Sequence, residues 1–143
     1  MKKSIFLILL MISCALSAVA KDLTYLSTED FKKKVCYYDK SSTTQWKYLG
    51  DKPSLIDFST TWCGWCKKLH PILEQIAEQY DGQIYVYTVD ADKEPELAAL
   101  FAVSGYPTVV LCPMKGSPQK VAGYNPLEFW QEAILQVFGI AKP

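Results

Sequence analysis

Cys63 and Cys66, three residues apart between an apolar run and a long amphipathic segment, constrain this chain more than any other feature. On one side Ser54-Leu55-Ile56-Asp57-Phe58-Ser59 reads as a buried strand carrying a single carboxylate. On the other, Leu69, Ile72, Leu73, Ile76, Ala77 and Tyr80 recur at the spacing of one helix face. The junction therefore places Cys63 at a helix N-terminus, where unpaired N–H groups and the helix dipole favour a thiolate. A thiolate is the attacking species in disulfide exchange, and a second cysteine one turn on resolves the mixed disulfide. Other uses of such a pair fit less well. Zinc wants about four ligands, whereas this pair recruits only His70 and Cys112, and no second C-x-x-C is present. Covalent haem attachment needs His directly after the second cysteine, where this chain has Lys67. A purely structural disulfide across so short a loop constrains the unfolded chain little.

The other segments take their order from local signals. Leu23 to Leu26 predicts a short first strand, and Ser27 or Thr28 caps a helix to about Val35, with Glu29 and Asp30 in its first turn. Asp39 to Lys52 is polar and turn-rich, with Trp46, Tyr48 and Leu49 expected to fold back onto the body. Pro71 is expected to kink the long helix, which ends at Asp81-Gly82. Ile84 to Val89, β-branched and aromatic, predicts a central strand. Pro95, Leu97, Ala98 and Leu100 form a short helix with proline near its first turn. Thr108 to Leu111 is a strand, Pro113 to Gly116 a turn, and Gln119 to Ala122 its hairpin partner. Asn125-Pro126-Leu127-Glu128 combines an N-cap, an N1 proline and an N3 acid, opening a helix to about Phe138. The order β-α-β-α-β-α-β-β-α predicts an α/β sandwich with a mixed central sheet.

The first 20 residues read as an address. Met1-Lys2-Lys3 is a basic start, Ile5 to Ile12 an apolar run, and Ala18-Val19-Ala20 a cleavage site, so residues 1–20 are expected to be a signal peptide and 21–143 the domain. The apolar run falls short of the roughly 20 residues that span a bilayer. A competing reading sets Cys14, after Leu10-Met11-Ile12-Ser13, in a lipoprotein-like box, which leaves the exported chain lipid-anchored through Cys14. Export into a periplasm-like compartment is the expectation in both cases. Lys2 and Lys3 leave with the signal, and the remaining domain is slightly acidic and lacks arginine. Such a surface is a poor match for nucleic acid, which wants basic patches and bidentate forks.

Taken in order, Asp57 six residues before the first cysteine, Trp62-Cys63-Gly64-Trp65-Cys66-Lys67, Pro71, Gly105-Tyr106-Pro107-Thr108 and Gly123 resemble the thioredoxin family over about residues 23–139. The resemblance implies a three-layer α/β/α sandwich, Cys63 as nucleophile, Cys66 as resolving thiol, and Asp57 as the buried acid that handles the second thiol's proton. It also implies a cis bond before Pro107, and a substrate face built from Trp62, Gly64, Trp65, Tyr106 and Pro107. Desolvation would raise the Asp57 pKa towards the working pH. Three departures stand out: Trp65 replaces the proline between the cysteines, Ser59 replaces a tryptophan, and Thr88 replaces a lysine that neighbours the acid. His70 is read as a surface residue, and Cys36 and Cys112 as small core hydrophobes whose pairing stays open.

The expected function is an exported protein-disulfide reductase, acting as a monomer on disulfide-containing client proteins and re-reduced by a membrane electron donor. The dithiol carries the chemistry, with no cofactor and no metal. Absence of His between the cysteines favours a reductant; an oxidase or isomerase, and a client-binding module without catalysis, are the rival readings.

Overall fold

The computed structural model describes residues 21–38 and 46–143. The expected signal peptide with Cys14, and residues 39–45, lie outside the described residues. Strand β2 (Ser54–Ser59) is the middle of a five-stranded sheet ordered β1-β3-β2-β4-β5. β1 (Thr24–Tyr25) and β2 run parallel to β3 (Tyr85–Asp90), while β4 (Thr108–Cys112) is antiparallel to β2 and to β5 (Gln119–Ala122). The sheet is mixed, as expected. The Ile84–Val89 segment supplies an inner strand, as expected: β3 lies between β1 and β2, and β2 takes the middle position.

Alternation along the strands divides the core in two. Ile56, Phe58, Val110 and Cys112 point to one face and pack with Phe31 and Leu97, from α1 (Thr28–Lys34) and α3 (Pro95–Leu100). Leu55, Val86, Val109 and Leu111 point to the other and pack with Leu69, Leu73 and Ile76 of α2 (Gly64–Gln79) and Trp130 and Ile134 of α4 (Leu127–Phe138). Helices cover both faces, giving three layers.

Local chemistry explains the helix ends. Ser27 caps α1, its Oγ accepting from the Asp30 N–H at 3.2 Å. Glu94, just before α3, reinforces this start from across the fold: its carboxylate accepts from Thr28 N at 3.0 Å, Thr28 Oγ1 at 2.6 Å and Tyr25 Oη at 2.9 Å.

α2 runs from Gly64 to Gln79 through Pro71; the lost donor falls on a turn where Lys67 and Pro71 are both exposed, and solvent can serve the freed carbonyl. Two local expectations are corrected. The N-cap of α4 is Pro126, with no side-chain cap bond, because the Asn125 amide turns back to the Gly123 carbonyl at 3.4 Å. Trp46 and Tyr48 do pack against the core, but Leu49 is exposed. Among the described residues, no helix is long and apolar enough to cross a membrane.

Candidate active site

The central strand delivers the chain, through Thr60, Thr61 and Trp62, to Cys63 at the N-cap of α2. Cys63 keeps an extended backbone, and its Sγ accepts the Cys66 N–H at 3.1 Å. Its sulfur thus sits where the first turn's N–H groups converge, and that turn contains no acidic residue to oppose a thiolate. Cys66 lies one turn along, bonded to Cys63 as a disulfide with Cα atoms 5.3 Å apart. Both cysteines are buried, whereas Gly64, Lys67 and Lys68 around them are exposed.

Asp57 shares the face of β2 that α2 covers, in register with Thr88 on β3 and Val109 on β4. Only 1% of it is exposed and its Oδ1 has no partner. Burial pushes its pKa up to about 7, with the Thr88 hydroxyl pulling the other way. Where the resemblance places a lysine, the neutral hydroxyl of Thr88 offsets part of the desolvation.

The expected rim residues lie in two aromatic pairs. Trp62, 68% exposed, meets Tyr106 edge-on at 6.0 Å and donates from Nε1 to Asp92 Oδ2 at 2.9 Å. The bond between Tyr106 and Pro107 is cis, and Pro107 is buried directly before β4. Trp65, 56% exposed, packs on Tyr124 at 5.7 Å, with Lys68 Nζ over its ring at 4.3 Å. Asp92, Lys68 and Tyr124 were not foreseen in the sequence. Tyr124 follows Gly123, whose φ of +89° turns the chain after β5, but no local pattern ties it to Trp65.

A cavity of about 310 Å³ opens beside the resolving cysteine, lined by Ser59, Thr60, Thr61, Cys66, Lys67, His70 and Pro71. His70 is half-exposed, 3.5 Å from the Glu74 carboxylate. A larger hollow of about 510 Å³, bordered by Lys34, Asp51, Tyr85 and Tyr87, lies at the far end of the sheet and holds no cysteine. Cys36 and Cys112 are buried and unpaired. Burial pushes the Cys112 thiol up to about 12, which keeps it protonated and inert near neutrality.

Two neighbouring sulfurs held at a helix start, one of them accepting a backbone N–H, define a redox protein of the dithiol–disulfide class. The thioredoxin family model matches residues 25–136. A thioredoxin of Borreliella burgdorferi is 36% identical over 114 residues, 80% of this chain and 96% of its own. One from Staphylococcus saprophyticus is 40% identical over 81 residues, 57% of this chain and 78% of its own. Among solved structures, chloroplastic thioredoxin z superimposes with a TM-score of 0.66 at 28% identity, covering 81% of this chain and 94% of its own. The Malassezia sympodialis thioredoxin gives 0.64 at 28% identity, covering 82% and 91%. The chain belongs to the thioredoxin family.

Proposed function

We propose that this chain is an exported thiol–disulfide oxidoreductase that reduces disulfides in client proteins as a monomer and is re-reduced by a membrane electron donor. The observation that carries the reading is the Cys63 sulfur at the N-terminus of α2, accepting the Cys66 N–H. In the dithiol form, Cys63 thiolate attacks one client sulfur; the client S–S bond breaks and its other sulfur leaves as a thiolate. Cys66 then gives its proton to the Asp57 carboxylate and attacks Cys63 Sγ. The Cys63–Cys66 bond forms, the second client sulfur leaves, and two electrons have passed to the client. With its pKa near 7, Asp57 takes that proton at neutral pH without a large penalty in either state.

Trp62, Gly64, Trp65, Tyr106 and Pro107 form the face a client meets, with the Tyr106 backbone able to pair with an extended segment. Export rests on Met1-Lys2-Lys3, the apolar run and Ala18-Val19-Ala20. Mass spectrometry of the mature N-terminus tests it: Lys21 supports a free exported form, acylated Cys14 an anchored one, and retained Met1 counts against export. The reduction potential of the Cys63–Cys66 pair tests the direction. A value near about −270 mV supports client reduction, and one near about −120 mV makes the protein an oxidant.

A further inference from the structure

Ser59 stands where the resemblance places a tryptophan, and the space beside it is the cavity next to Cys66. We propose that this cavity is a second entrance to the disulfide, admitting a small carboxylate-bearing thiol to Cys66 while client proteins engage Cys63. The inference rests on the redox role proposed for the same pair and adds a co-substrate to it.

Four features point there. The cavity wall includes Cys66 and not Cys63, so an attacking sulfur arriving through it meets the resolving cysteine. Its volume, about 310 Å³, lies at the lower end of the roughly 300–1,000 Å³ of small-molecule sites, too small for a polypeptide. Thr60, only 5% exposed, lines it with an Oγ1 that has no partner among the protein groups, a polar contact left for an occupant. Lys67 supplies a positive charge at its edge, matching a carboxylate, while His70 is engaged by Glu74. Two other charged groups near the pair are occupied elsewhere, Lys68 over Trp65 and Asp92 by the Trp62 indole.

Leaving-group chemistry favours this route. When a thiolate RS⁻ attacks Cys66 Sγ, the Cys63–Cys66 bond breaks and Cys63 departs as a thiolate. Cys63 is the sulfur that the helix start and the Cys66 N–H already stabilise, and a better-stabilised thiolate leaves faster. A second RS⁻ attacks the outer sulfur of the mixed disulfide, releasing RSSR and Cys66, which takes up a proton. Two thiols become one small disulfide, and the protein disulfide becomes the dithiol.

The test uses the oxidised full chain, reduced glutathione as the small thiol, and reduced unfolded ribonuclease A as the protein-sized thiol. Reduction is followed by the fluorescence of Trp62 and Trp65. Ser59→Trp, which fills the cavity, should lower the ratio of the glutathione rate to the ribonuclease rate by at least about tenfold. Thr60→Val, a smaller change that guards against misfolding of the first variant, should raise the KM for glutathione about fivefold. In wild type quenched with acid during turnover, peptide mapping should find glutathione on Cys66. Adduct confined to Cys63, or unchanged ratio and KM in the folded variants, overturns the proposal. Exchange with glutathione alone still supports this entrance, whereas exchange with neither thiol removes the redox role of the pair itself and this entrance with it.

Discussion

Asp57 is the one carboxylate counted as buried among the described residues, and its cost is pH-dependent in a direction that can be measured. In the unfolded chain its ordinary value is 3.8, and in the fold it rises to about 7 because burial penalises the charge. Between those values the folded state holds a proton that the unfolded state has lost, so stability falls as pH rises through the window. Above pH 7 the penalty is complete, on the order of 4 kcal/mol as an upper bound. The oxidised protein is the form to measure, because its paired cysteines do not titrate. Guanidinium unfolding at several pH values should show wild-type stability declining from about pH 4 to about pH 7 and then levelling. Asp57→Asn should lack that decline and gain on wild type above pH 7. Parallel pH curves for the two proteins would show that the carboxyl is not perturbed by the fold. In turnover, the same variant should slow release of the client by Cys66 more than attack by Cys63.

The first elements are held by a group that no local pattern announces. Glu94 precedes α3, yet its carboxylate accepts three hydrogen bonds from β1 and the start of α1. Burial alone would raise its pKa, but the bonds from Thr28 and Tyr25 outweigh it and hold the carboxyl below the usual glutamate range. A depressed acid contributes stability above its unfolded value, and that contribution is lost as pH falls through the folded value. Glu94→Ala should lower stability by about 2 kcal/mol at pH 7, with Glu94→Gln between it and wild type. The gap between wild type and Glu94→Gln should narrow below pH 4.5. A constant gap from pH 3 to pH 7 in urea titrations would assign the effect to packing and not to charge.

Why this was hidden also explains what was readable. Ser27, the β-branched run before Val89 and the apolar stripe of α2 act within a few residues, so strands and helices followed from sequence. The Cys63–Cys66 spacing and its place between strand and helix were local too. Strand order, the Glu94 carboxylate, Tyr124 against Trp65 and the cavity beside Ser59 arise from contacts between distant segments, which periodicity does not encode. Asn125 misled because its signature is local, while its amide found a competing carbonyl at Gly123.

On the scale of the whole molecule, the two half-cores share one sheet, and the disulfide closes the end of that sheet from which β2 emerges. One half-core draws its buried members from Leu26 to Cys112, the other from Leu55 to Ile134, with Leu23 and Ile140 the outermost partly buried side chains packed on them. Trp130 is different in kind. It is fully buried between α4 and the sheet, and its Nε1 donates to the Asn125 carbonyl at 3.1 Å, tying the half-core to the connection that carries Tyr124. Removal of residues 1–20, read as a signal that is cleaved on export, should leave the melting temperature within about 2 °C, because a segment cut away before the protein works is not part of the working domain. Trp130→Ala should lower it by roughly 15 °C, from a cavity penalty of about 3–5 kcal/mol. The same substitution should loosen Tyr124 from Trp65 and raise the mobility of the rim, read as faster quenching of Trp65 fluorescence by acrylamide. Calorimetry of the two proteins side by side decides the matter: a truncated chain that melted as low as Trp130→Ala would place a third packing element in residues 1–20, and the two-half-core account would fail.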